Sequence, residues 1–258
     1  MLTIEQIENA YEEKLRPFKR NILREYLQYK ILDMIFDSEF GKKLVFMGGT
    51  ALRIVYGNAR FSEDLDFDNK GLSEKEFGEM SLIVKKGLMA EGYEVEMENV
   101  FKGAYRCTIK LPGVLFQNEL SSIKTEKIMI QVDTAPQDFD YVPDRKIINK
   151  FDVFTEIPVA PLSIILSQKF YAVFNRKRMK GRDFYDILFL MQTARPDYSY
   201  LKDKLGISDG KGLKKMISER IKDSDLRELG KDVEPFLFNP SDSGKISMFA
   251  DYIRQSDL

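Results

Sequence analysis

Two aspartates separated by one residue, Asp64 and Asp66, stand in the run Phe61-Ser62-Glu63-Asp64-Leu65-Asp66-Phe67-Asp68. On a strand, residues i and i+2 point to the same face, roughly 6.5–7 Å apart at Cα. Carboxylates placed in this way suit a hard cation such as Mg²⁺, which takes one or two of them together with substrate phosphates. Ahead of them lies Gly48-Gly49-Thr50, where an apolar run ends and a short helical pattern begins. Glycines at such a junction let main-chain N–H groups come close to phosphate, and Thr50 brings a hydroxyl near the helix N-terminus. A third carboxylate on a neighbouring strand would complete a two-metal centre. Asp133, closing the alternating run Lys127-Ile-Met-Ile-Gln-Val-Asp133, fills that role if its strand lies beside the one bearing Asp64 and Asp66. Acidic alternation alone, or a glycine pair alone, most often marks a solvated strand or a plain turn. Their order carries the reading: strand, glycine turn, short helix, acidic strand.

The elements that must hold these groups are legible from periodicity. Thr3 and Gln6 spell a capping box, as do Ser73 and Glu76, the second opening a helix to about residue 91. Pro17 divides an N-terminal helical pattern in two. Residues 43–47 read as a buried strand, 50–56 as a short helix stopped at Gly57-Asn58, and 64–68 as a strand with Asp64, Asp66 and Asp68 on one face. Asp68 reads as a solvated strand end. Further strands are expected at 93–100, 104–111 and 127–133. Helical periodicity takes over at 161–176, 182–194, 209–223 and 244–255. The expected architecture is therefore α/β of the mixed α+β kind, a mixed sheet flanked by helices over residues 1–156 and a helical C-terminal domain over residues 157–258.

Composition narrows the chemistry. The chain of 258 residues has no histidine and one cysteine, Cys107. Imidazole-based nucleophilic catalysis and zinc held by imidazole or multiple thiolates are thereby excluded. What remains is carboxylate, lysine, arginine and hydroxyl chemistry with oxygen-seeking metals. Forty basic residues against 41 acidic ones leave a net charge of -1, so any attraction for nucleic acid must be local. A single cysteine suits a reducing compartment. The acidic start and the lack of an apolar stretch near the roughly 20 residues of a membrane span point to a cytoplasmic protein with no membrane contact.

The segment FMGGTALRIVYGNARFSEDLDFD resembles the first motif of nucleotidyltransferase-fold proteins, and most closely the AbiEii/AbiGii toxin family. The later segment LSQKFYAVFNRKRMKGRDFYDILFL resembles that family's lysine-bearing helix followed by Arg-Asp-x-Tyr-Asp. Residue by residue, the resemblance implies that Gly48, Gly49 and Thr50 hold nucleotide phosphates and that Asp64 and Asp66 bind the catalytic metals. It implies that Lys169 contacts the triphosphate and that Asp183 is the acid required in the later motif. Arg60 and Ser62 match the family's Arg-x-Ser, in contact with phosphate or bracing the turn. Asp133 rests on the strand argument rather than on the resemblance. The implied activity moves a nucleoside monophosphate from an NTP to an acceptor hydroxyl with Mg²⁺, for which Mn²⁺ could substitute. The implied setting is a toxin acting on a tRNA-like or other RNA end and restrained by an antitoxin protein. A small-molecule nucleotidyltransferase and a nucleotide-binding module without turnover are the alternatives.

Between Ile157 and Arg182 there is no acid, while Lys169, Arg176, Lys177, Arg178, Lys180 and Arg182 are basic. The run Arg176–Arg182 is a candidate RNA contact, weighed against an ordinary solvated face. Lys169 on an apolar helix has the alternative of snorkelling its ammonium to water. Asp183 and Asp186 have the alternative of favouring a helix N-terminus.

Overall fold

Two reciprocal capping boxes start helices at the expected places: Thr3 with Gln6, and Ser73 with Glu76. A computed structural model describes residues 2–258. In chain order the elements are α1 (Ile4–Asn9), α2 (Lys19–Phe36), β1 (Leu44–Met47), α3 (Gly48–Tyr56), β2 (Leu65–Asn69), α4 (Glu74–Ala90), β3 (Glu96–Lys102), β4 (Ala104–Pro112), α5 (Val114–Gln117), β5 (Lys127–Ala135), β6 (Asp144–Lys150) and β7 (Val153–Val159). There follow α6 (Leu162–Asn175), α7 (Gly181–Leu190), α8 (Tyr198–Leu205), α9 (Gly210–Ile221), α10 (Leu226–Val233) and α11 (Phe249–Gln255). No helix among the described residues is long and apolar enough to cross a membrane.

The chain forms two compact units. One takes in the sequence up to Gly57 and Phe61–Val159; the other takes in Asn58–Arg60 and Ala160–Leu258. The first is a seven-stranded mixed sheet, ordered β3-β4-β5-β2-β1-β7-β6, with helices packed on it. The β2–β5 and β1–β7 pairs are parallel and the others antiparallel. Register aligns the alternation of three strands. Leu65 and Phe67, Ile130 and Val132, and Cys107 and Ile109 are buried on one face, where Phe36 of α2 meets Phe67 at 6.0 Å between ring centroids. Polar residues of the same strands, among them Asp66, Asp133 and Arg106, therefore share the opposite face.

The hairpin β6–β7 has no counterpart among the expected strands. Its first strand, Asp-Arg-Lys-Ile-Ile-Asn-Lys, lies at the edge of the sheet, and charge on such a strand hides the period-2 signal. Its turn uses Phe151 at φ 60° instead of a glycine or asparagine. The Asp68 expectation is overturned too. Asp68 is fully buried, and its carboxylate accepts from the Gln137 main-chain N–H at 2.9 Å and the Tyr141 hydroxyl at 2.7 Å, with Lys70 at 2.9 Å. The segment after β5 folds back over β2 and displaces water from it.

In the second unit, α7 lies against α10 so closely that a Cβ at Gly181 would overlap the Leu229 carbonyl oxygen. The Gly181 N–H donates to Asp232 Oδ2 at 2.9 Å, satisfying an amide at the start of α7. Helices α8 and α10, of eight residues each, carry too few turns for periodicity to reveal them.

Candidate active site

Strand β1 ends at Met47 and the chain enters α3 at once, so Gly48 and Gly49 form the first turn of that helix. This starts two residues earlier than the sequence pattern indicates, and it puts the unpaired N–H groups of a helix N-terminus on the glycines themselves. Gly48 has φ +78°, and a Cβ there would come to 2.9 Å from Asp66 Cβ and closer still to Oδ2. Glycine is required twice over, by its backbone angle and by the carboxylate lying against it. Gly57, with φ +74°, ends α3 with open space around it.

Two predictions separate these roles. Gly48→Ala is expected to cost about 1–3 kcal/mol of stability and to eliminate nucleotidyl transfer by pushing Asp66 aside. Gly57→Ala is expected to cost about 1 kcal/mol and leave transfer intact. Thermal unfolding and a transfer assay on both proteins check this; an active Gly48→Ala protein would refute the role given to the close approach.

Thr50 is fully buried and its hydroxyl donates to the Asp64 carbonyl oxygen. It ties α3 to the start of β2 and sets Asp64 in place. Ser62 and Glu63 offer their carbonyl oxygens to Gln28 Nε2 at 3.0 and 2.9 Å, fixing the approach to β2 from α2.

Asp66 lies in register with Met47 on one side and with Asp133 on the other, and Asp133 is in turn paired with Arg106. The strand condition for Asp133 is thus met: β5 adjoins β2. Arg106 Nε and Nη2 donate to Asp133 Oδ1 and Oδ2 at 2.7 and 2.8 Å. The guanidinium pKa is raised by its hydrogen bonds to Asp133 and the Asp133 charge, with Asp64 and Asp66 adding to the effect. One cation therefore feels three carboxylates. Asp66, Asp133 and Arg106 line a cleft of about 370 Å³ together with Lys102 and Ala104 from the β3–β4 hairpin.

Among the described residues no three acidic, thiol or imidazole side chains are gathered around one point to hold a metal ion unaided. Both oxygens of Asp133 are engaged by Arg106. The residues nevertheless fit Mg²⁺: Asp66 is a hard oxygen donor lying against Gly48, Asp64 is a second such donor two residues earlier, and this ion commonly completes its shell with substrate phosphates and water.

In the second unit, Asp186 of α7 is wholly buried and accepts from Asn58 Nδ2 at 2.8 Å, from Arg60 Nε at 2.7 Å and from Arg60 Nη2 at 2.6 Å. Lys169 Nζ lies 2.9 Å from Asp186 and 3.0 Å from Asp183, and Arg176 Nε lies 3.1 Å from Asp183. Burial pushes the Asp186 carboxyl up, but Arg60 and Lys169 outweigh it and bring the pKa down to about 2. Burial pulls the Lys169 ammonium down, and Asp186 and Asp183 more than restore it. Lys169 is therefore a largely enclosed, charged lysine, 13% exposed and facing two acids, and not one that reaches out to water. Arg60 is 2% exposed and holds Asp186 with two parallel bonds. Of the basic run, which links α6 to α7, Arg182 lies over the Phe236 ring at 4.8 Å, while Lys177 and Arg178 are exposed.

Sequence reasoning missed Arg106 and Asn58. Arg106 has a weak signal, since it alternates with the apolar residues of β4 on the polar face; Asn58 has none.

A mixed sheet whose β1–α3 junction places a glycine against an Asp-x-Asp strand has the architecture of a nucleotidyltransferase, and solved structures agree. JHP933 from Helicobacter pylori shares 18% identity and superposes with a TM-score of 0.55, covering 91% of this chain and 92% of that one. A candidate nucleotidyltransferase from H. pylori shares 19% identity with a TM-score of 0.56, covering 91% and 94%. Residues 30–249 match the family described as nucleotidyl transferase AbiEii toxin, type IV TA system. The chain belongs to this family and is a nucleotidyltransferase. No curated protein matches the sequence.

Proposed function

We propose that this protein transfers a nucleoside monophosphate from an NTP to a hydroxyl at the end of an RNA, with Mg²⁺ held by Asp64 and Asp66 and shared by Asp133. The observation that carries the reading is the in-register row of Asp66 and Asp133 beside the glycine start of α3. Bound Mg²⁺, or Mn²⁺ in its place, would neutralise charge on the triphosphate and on the departing pyrophosphate. The chain's own groups do the rest. The amides of Gly48 and Gly49 receive phosphate oxygens. Asp133 takes the proton as the acceptor oxygen bonds to the α-phosphorus and the bond from that phosphorus to the pyrophosphate oxygen breaks. Positioning and electrostatics supply the rate, as phosphoryl chemistry asks little covalent help.

Lys169 and Asp183 are proposed as functional residues of the helical unit, on the strength of the resemblance and of their buried charges. Exposed Lys177 and Arg178 favour a polyanionic acceptor such as a tRNA-like end. The family's description supports reading the protein as a toxin with a cognate antitoxin protein.

Purified protein with Mg²⁺ and each α-labelled NTP is expected to label RNA and release pyrophosphate. Label on antibiotic or sugar hydroxyls with none on RNA would move the acceptor to small molecules. NTP binding without pyrophosphate release across both acceptor sets would remove the catalytic reading.

A further inference from the structure

Arg106 is bound where a catalytic cation would have most effect. It lies on β4 opposite Asp133 of β5, which lies opposite Asp66 of β2, so the three residues form one row on the open face of the sheet. Two carboxylates on adjacent strands repel each other, and like charges directly opposite destabilise a sheet. A guanidinium relieves that repulsion, and here it does so with a two-point grip on Asp133 at 2.7 and 2.8 Å. The Arg106 side chain is 53% exposed and Asp133 is 26% exposed, so the pair stands at the cleft wall with room to part.

We propose that Arg106 is the resident counter-ion of this carboxylate row and a positioning residue: it holds Asp133 until a divalent cation competes it away. This rests on the reading of Asp64, Asp66 and Asp133 as a cation site. An ion pair that must break before a metal is fully bound weakens metal affinity by the strength of the pair. The protein would thus bind the divalent ion feebly when alone. Tight binding waits for a triphosphate that supplies further oxygen ligands and offers Arg106 phosphate oxygens in exchange. The row stays charge-balanced throughout, as one cation replaces another.

The test is Mn²⁺ affinity of the full chain without nucleotide, measured by isothermal titration calorimetry. Arg106→Gln is expected to bind Mn²⁺ about five- to tenfold more tightly than the unsubstituted protein. Arg106→Lys, which keeps the charge and loses the fork, is expected to move the same way by a smaller factor. In a protein already carrying Asp133→Asn, adding Arg106→Gln is expected to change affinity by less than about twofold. Equal or weaker binding by Arg106→Gln overturns the proposal. So does a gain that persists undiminished beside Asp133→Asn, because that is a general field effect and not a grip on one carboxylate. If the unsubstituted protein binds Mn²⁺ and Asp66→Asn does not, the cation site stands even where the Arg106 proposal falls. If no protein of the set binds Mn²⁺, both fall.

Discussion

Asp66→Asn is expected to lower nucleotidyl transfer by about three orders of magnitude or more while leaving the protein folded. The substitution keeps the shape of the side chain and removes the charge that would hold a divalent ion. Asp66 is only partly buried, and its main-chain pairing with Met47 and Asp133 does not involve the side chain. The neighbouring packing, with Leu65 and Phe67 on the buried face, is untouched. The melting temperature should consequently stay within about 3 °C, the shift produced by a surface change of a few tenths of a kcal/mol. The measurement is transfer of an α-labelled NMP at saturating Mg²⁺, with thermal unfolding alongside. Transfer within tenfold of the unsubstituted protein would remove Asp66 from the metal site.

Arg60→Met is expected to cost about 3–5 kcal/mol, the penalty of stranding a buried charge whose partner has gone. Asp186 is wholly buried, and without Arg60 its carboxylate keeps only Asn58 and Lys169 of its present partners. The pH dependence follows from the sign of the shift. The folded Asp186 pKa, brought down to about 2, lies below the unfolded value of about 3.9. Its contribution is therefore complete above that unfolded value and is lost as pH falls towards 2. With Arg60 gone, the folded pKa rises, less stability is present at neutral pH, and the loss on acidification begins at higher pH. Hydrogen exchange in α6 and α7 at pH 7 and pH 4 reads this locally. Protection unchanged by Arg60→Met would show that the pair contributes little, and would return Arg60 to the nucleotide-contacting role that the resemblance also allows.

Much of the sheet unit was legible because its signals are local. A capping box spans four residues, and a period of two declares a half-buried strand. That sufficed for α4, β1, β2, β4 and β5, within a residue or two at the ends, and for the start of α1, which stops at Asn9 well before Pro17. In the β6–β7 hairpin the charged edge strand β6 masks its single buried Ile148, whereas β7 does carry a period of two, with Val153, Thr155, Ile157 and Val159 buried, and was within reach of the same signal. Asp68 misled for a different reason: its surroundings are supplied by residues 136–141, far along the chain, and nothing within the acidic strand reports their return. Thr50 was read as offering its hydroxyl to phosphate, yet that hydroxyl is buried and bound to the Asp64 carbonyl oxygen, a partner fourteen residues away.

The types of chemistry open to this protein were fixed by composition and short-range spacing: no histidine, one cysteine, and carboxylates alternating after a glycine turn. These are properties of the chain itself, independent of how it packs. Which of those carboxylates share a face, and which are already neutralised, was decided by strand pairing and helix packing. Asp133 came to stand beside Asp66, Arg106 came to hold it, and Glu25 was buried with Arg53 at 2.8 Å and Lys150 at 3.1 Å from separate parts of the sequence. Electrostatic energy depends on distance in space and on access of water, and neither quantity is written in the separation of two residues along a chain.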